Sequence, residues 1–170
     1  MQMVSADEVI DSLGLAYFKD LSTFGALSDD IIVDMLQGGI IREFDKGEYL
    51  ARYGVVASEF QVVLKGRIAF YKHSDACDVL TRYFSAGEQM GFDLMIGAIS
   101  HNGIDVATEP SIILDINSDQ FYQLLVDHPA DFGLLMINLT RELSREISLL
   151  EGVIGNTTGW QPGKASHAQP

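Results

Sequence analysis

Apolar positions change their period twice along this chain. Up to Gly39 they recur at helical spacing. Ser5, followed three residues on by Glu8, predicts a capped helix over 5–13. A second helical run covers 15–21. Ser28 is the predicted cap of a third helix. Asp29 and Asp30 fall in its first turn, where the helix dipole favours acids. Ile31, Ile32, Met35 and Leu36 form its apolar face, and Gly38-Gly39 stops it.

From Ile40 the period shortens. Strands are predicted over 40–44, 49–52, 60–64, 67–72, 79–84, 104–108 and 111–114. Phe60, Val62 and Leu64 alternate with Gln61 and Val63, as in a strand with one core face. Turn residues punctuate the runs about every ten positions, a spacing typical of a sandwich or closed barrel. Gly47, Gly54, Gly66, Gly87 and Gly103 stand at the reversals.

The helical period then returns. Asn117 or Ser118 can cap a helix carrying Phe121, Leu124 and Leu125. His128-Pro129 ends it, and Pro129 suits the first turn of the next helix, predicted to run to about 151. Its apolar residues are Phe132, Met136, Leu139, Leu143, Ile147, Leu150 and Ile154, stepping by 4, 3, 4, 4, 3 and 4. That is two eleven-residue repeats, close to the period of a straight helix. Arg141, Glu142, Arg145 and Glu146 lie off the stripe.

These elements predict a mainly β protein with flanking helices. One domain spans 1–154, with the strands at about 40–116 and C-terminal helices at about 118–151. Residues 155–170 carry Gly155, Gly159, Pro162 and Gly163 in a polar setting and predict a flexible tail.

Composition narrows the functions. At 170 residues, 47% apolar and 21% charged, the chain can bury a sizeable core. Its apolar runs are far shorter than the roughly 20 residues a membrane span needs. The acidic start, Met1 to Glu8, does not read as a secretory signal. The net charge is −13, which argues against direct nucleic-acid binding. The lone cysteine, Cys77, excludes an internal disulfide and a cysteine-built metal site. A cytoplasmic protein is the expectation. No hydrolytic motif or phosphate loop is present. Asp93 and Asp105 fit solvated acids better than an acid–base pair. His73, His101 and His128 lack ligand spacing, and the 72–78 segment, with His73 and Cys77, fits an exposed turn better than a haem or metal site. No enzyme activity, metal or cofactor is therefore predicted.

The order of elements, with certain segments, resembles the cyclic-nucleotide-binding domain family. Phe44-Asp45-Lys46-Gly47-Glu48-Tyr49-Leu50 looks like its first barrel turn. Residues 60–71 look like its hairpin, with Gly66 at the reversal. Gly87-Glu88 followed by Gly91 resembles the approach to its phosphate-binding segment, and 113–121 its last strand running into a helix. The resemblance covers about 20–152. It implies a double-stranded β-helix, or jelly-roll, barrel holding a ligand beside a short helical cassette, with N-terminal helices and a long C-terminal helix that dimerises. It also implies a winged helix-turn-helix in the family's transcription regulators. Only about sixteen residues follow Ile154, too few for that domain.

In the family's cassette a glycine precedes a glutamate that holds the ribose, and an arginine about ten residues later pairs with the cyclic phosphate. After Gly91 this chain has Phe92, with Asp93 one step on, about 100° round a helix. The arginine position falls on His101 or Asn102, and no arginine lies between Arg82 and Arg141. Losing such a charged partner costs on the order of 2–5 kcal/mol, about 30- to 4000-fold in affinity. Cyclic-nucleotide binding would then need substitute donors, such as Arg67 or Arg82.

The candidate ligand residues are Gly91, Phe92, Asp93, Leu94, His101, Asn102 and Gly103, with the Phe92 ring a candidate to fill the ribose position. The candidate dimer residues are Met136, Leu139, Leu143, Ile147 and Leu150. The leading functional expectation is a regulatory sensor domain with a degenerate phosphate site, taking a small molecule and signalling through its C-terminal helix. The alternative is a ligand-free dimerisation or protein-interaction module of the same fold.

Overall fold

A computed structural model describes residues 1–158 apart from Arg52, Val55 and Ala76; the side chains of Thr157 and Thr158 are also outside it. The order is β1 (Gln2–Val4), α1 (Ala6–Leu13), α2 (Leu15–Lys19), a 3₁₀ turn at Ser22–Phe24, α3 (Asp29–Gly38), β2 (Ile40–Phe44), β3 (Tyr49–Ala51), β4 (Glu59–Lys65), β5 (Arg67–His73), β6 (Asp78–Ser85) and β7 (Gln89–Met90). There follow α4 (Phe92–Gly97), β8 (Gly103–Ala107), β9 (Ser111–Asn117), α5 (Ser118–Asp127) and α6 (Pro129–Thr158).

The strands make two antiparallel sheets, ordered β1-β2-β9-β4-β7 and β3-β8-β5-β6. Their inner faces share one core of Phe44, Val63, Ile68, Phe84, Met90, Ala107 and Ile113. The result is a jelly roll of two sheets rather than one ring closed by hydrogen bonds. The expected fold class holds.

At β9 and β4 the first sheet is buried on both faces, because helices cover its back. In β9, Ile112, Leu114 and Ile116 face the helices while Ile113 faces the second sheet. β4 divides the same way: Phe60, Val62 and Leu64 pack on the helices and Val63 points between the sheets. The single core face expected for β4 is thus two, and the apolar run in β9 reflects a strand covered on both sides.

Gly66 does not close a hairpin. It joins β4 in one sheet to β5 in the other, at φ 90°, with Pro110 and Ser111 packed where a Cβ would sit. Only glycine takes this φ beside so close a backbone. The hairpin partner of β5 is β6.

Local signals at the helix starts are realised unequally. The Ser5–Glu8 box is complete, with both reciprocal hydrogen bonds. Asn117 caps α5 by accepting from the Gln120 amide at 2.8 Å. Ser28 precedes α3, but its side chain makes no capping bond; its own amide donates to Asp131 instead.

α6 is 30 residues long, roughly 45 Å at 1.5 Å per residue. It continues through Gly155 to Thr158, beyond the expected end and into the predicted tail. Glycine weakens a helix by only about 1 kcal/mol, and no proline follows until Pro162. Residues 159–170, the rest of that tail, and Arg52, at the end of the strand expected over 49–52, lie outside the described residues. Among the described residues no helix is long and apolar enough to cross a membrane.

Candidate functional site

β7 ends at Gly91, whose left-handed backbone (φ 74°) turns the chain into α4. α4, the inner face of the second sheet and the last turns of α6 enclose a cleft of about 440 Å³. Its apolar wall comprises Phe70, Phe84, Met90, Leu94, Leu149, Leu150 and Val153; its polar groups include Gln61, Lys72, Arg82, Gln89, Asp93, His101, Asn102, Asp105 and Glu146.

Five of the seven residues expected at a ligand site line this cleft: Gly91, Asp93, Leu94, His101 and Asn102. Gly103 does not line it; it lies against the Phe70 ring, which occupies the space of a Cβ. Phe92 is also elsewhere. Its side chain is buried beneath α4, 5.5 Å from the Phe60 ring and 5.7 Å from that of Phe121. It therefore does not fill a ribose position. One residue along a helix rotates the side chain by about 100°, so the apolar Phe92 takes the core side and Asp93 takes the cleft. Phe121 in turn lies 5.0 Å from Phe132, linking α4 through α5 to α6.

At the position expected for a phosphate-binding arginine, His101 is tied to Asp105. Its Nε2 is 2.7 Å from Asp105 Oδ2, and the Gly103 amide donates to Nδ1 at 3.3 Å. The neutral ring thus carries its proton on Nε2. The hydrogen bond to Asp105 holds the His101 pKa above its ordinary value, and burial opposes that rise. A raised folded pKa contributes stability that is complete below about pH 6.5, the usual unfolded value, and is lost as pH rises through the folded value. Melting temperatures between pH 6 and 9 should therefore fall more steeply with pH in the wild type than in Asp105→Asn. Equal slopes would contradict the pairing.

Two cations reach the cleft by topology alone. Lys72 is level with Gly103 across the β5–β8 ladder and donates to Asn102 Oδ1 at 2.5 Å. Arg82 on β6 stacks on Phe84, its Cζ 4.4 Å from the ring centroid. Its Nη2 is 3.2 Å from Glu88 and its Nη1 2.5 Å from Glu146 on α6. Sequence reasoning had Arg82 as a substitute donor and missed Lys72 and Glu146, whose positions depend on strand pairing and on where α6 crosses the jelly roll. Arg67, the other named substitute, stacks on Tyr83 and is not among the lining residues. Three carboxylates (Asp93, Asp105, Glu146) face two permanent cations (Lys72, Arg82) in the lining, and both cations already have polar partners.

The expected dimer stripe divides. Leu139 is fully buried in its own chain, and Met136 and Leu143 pack against the same core. Leu150 belongs to the cleft wall. Of the five only Ile147, 57% exposed, stands wholly outside the cleft and core, and Ile154 is exposed further along the helix. His73 is paired with Asp78 at 3.0 Å and Cys77 is an exposed free thiol. Among the described residues no three His, Cys, Asp or Glu side chains are placed to hold a metal ion.

This cleft between a jelly roll, a glycine-led short helix and a long C-terminal helix defines a class of regulatory domain. The model of the cyclic nucleotide-binding domain family matches residues 41–128, and the chain belongs to that family. Its fold is similar to a cyclic nucleotide-binding domain from Methylobacillus flagellatus KT, at 18% identity and TM-score 0.78, covering 95% of this chain and 91% of that one. It is also similar to the Thermus thermophilus catabolite activator protein (17%, TM-score 0.67, 81% of this chain and 63% of that one). A third likeness is to the sensor domain of the transcriptional regulator DNR from Pseudomonas aeruginosa (17%, TM-score 0.64, 82% and 94%). No curated protein matches the sequence.

Proposed function

We propose that this domain is a sensor in which a small molecule enters the cleft beside α4 and changes the position of α6. The carrying observation is that Glu146, Leu149, Leu150 and Val153 of α6 form one wall of that cleft. A ligand there contacts the output helix directly, and can shift it only by binding one helix position better than another. The rings of Phe92, Phe121 and Phe132 give α4 a second, packed route to α6.

The ligand is not a standard cyclic nucleotide bound in the family's manner. Phe92 replaces the ribose-holding acid and faces the core, and the arginine position holds a His101 committed to Asp105. The role is regulatory, as the family membership and the α6 wall of the cleft support. A cytoplasmic setting fits the free Cys77. In a thermal-shift screen with cyclic AMP, cyclic GMP, cyclic di-GMP and a metabolite panel, the cyclic nucleotides should give no shift and a metabolite should stabilise the domain. A ligand at 100 times its dissociation constant adds about 2.7 kcal/mol. The absence of any stabilising metabolite would favour the ligand-free module instead.

The exposed apolar end of α6 supports association of two copies through Ile147 and Ile154 rather than through Leu139 or Leu143. Light scattering over a concentration series should show a dimer, and Ile147→Glu should convert it to a monomer. A wild-type chain that stays monomeric throughout would refute this interface.

A further inference from the structure

Arg82 is the one arginine in the cleft lining, and its surroundings are those of an anion site with an internal occupant. Phe84 supports one face of the guanidinium. Glu88 anchors Nη2 from the adjoining turn, where its second oxygen accepts from the Ser85 amide. The other terminal nitrogen, Nη1, meets Glu146 of α6 at 2.5 Å. That contact is an ion pair of poor direction: Nη1 is buried yet meets hydrogen-bond geometry with no acceptor among the described residues. A carboxylate reaching across from a helix neutralises the charge without filling the fork, which is built for two parallel bonds.

The geometry points to Glu146 as a tethered stand-in for an anionic ligand, occupying Arg82 and excluding monoanions from the cleft until α6 moves. Being part of the same chain, it competes at a high effective concentration. The ligand class follows: a monoanion, carboxylate or phosphate diester, on an apolar body that fits against Phe70 and Leu94. Its charge takes the place of Glu146 on Arg82, and the freed helix end carries the signal. This rests on the reading of the cleft as a ligand site.

The test uses calorimetric titration of the full chain with cyclic AMP as a monoanionic probe. Adenosine serves as the uncharged counterpart. Glu146→Gln should tighten cyclic AMP at least tenfold over the wild type and leave adenosine within twofold. Glu151→Gln, which removes the same charge from α6 outside the cleft, should change neither. Adding Arg82→Lys to Glu146→Gln should reverse most of the gain. The inference is overturned by a Glu146→Gln that binds no cyclic AMP at millimolar concentration, or that binds it less than tenfold more tightly than the wild type. An equal gain for adenosine or from Glu151→Gln, or a gain that survives Arg82→Lys, overturns it too. The Gln variants change helix-surface positions, so the comparison stands even where Arg82→Lys does not fold. The sensor reading fails separately, when bound probe leaves amide exchange of residues 146–154 unchanged.

Discussion

Phe92→Ala is expected to lower the unfolding free energy by about 3–5 kcal/mol, the usual cost of removing a buried phenylalanine. For a domain of this size that is a fall of roughly 6–20 °C in melting temperature. Phe92 is 3% exposed and packs edge-on against Phe60 and Phe121. Its loss empties a site bounded by β4, α4 and α5 together. Phe92→Glu, which restores the family's residue type, should be at least as damaging, because it drives a carboxylate into that aromatic cluster. Urea denaturation of both variants checks this. A cost below about 1 kcal/mol for Phe92→Ala would place the ring outside the core and reopen the cleft position for it.

The second large effect concerns a charged pair between the sheets. Arg42 Nη2 is 2.5 Å from Asp115 Oδ1, and Asp115 is 4% exposed. Burial raises the Asp115 carboxyl above its ordinary value, with Arg42 pulling the other way. Burial also raises Glu59, and the Asp115 charge adds to that rise. The raised Asp115 value means the ionised carboxylate is worse off folded than in water, despite its partner. Arg42→Ala should therefore cost about 3–5 kcal/mol by leaving a buried charge alone. The double variant Arg42→Met/Asp115→Leu should be neutral or more stable by about 1–4 kcal/mol. The Asp115 contribution to stability grows as pH falls from the raised folded value towards about 3.9, since the fold takes up the proton first. A double variant as unstable as Arg42→Ala would show that the pair is a net stabiliser.

Much of the fold was legible because its determinants are local. The strand over 40–44 follows from β-rich residues between glycines and a turn, and its bounds agree with β2. The α1 cap follows from two residues three apart. β1, β7 and α4 were not read as elements from periodicity. Runs of 3, 2 and 6 residues are too short to show one, and they exist through pairing and packing. The Gly66 corner has the same cause: a glycine turn looks alike whether its strands share a sheet or change sheets.

The site was half legible. The segment from Gly91 to Asn102 is continuous in sequence, and five of its twelve residues line the cleft. Lys72, Arg82 and Glu146 come from β5, β6 and α6, brought together only by strand pairing and the crossing of α6. The α6 stripe showed which residues are apolar but not what covers each. Leu139 meets its own core, Leu150 meets the cleft and Ile147 meets neither.

The most direct test of a sensor cleft that no longer takes its family's ligand is calorimetric titration of the full wild-type chain with cyclic AMP and cyclic GMP. The prediction is no binding tighter than millimolar, the consequence of a lost charged partner worth about 30- to 4000-fold and of three carboxylates in the lining. Saturable binding of either nucleotide at micromolar concentration would contradict it.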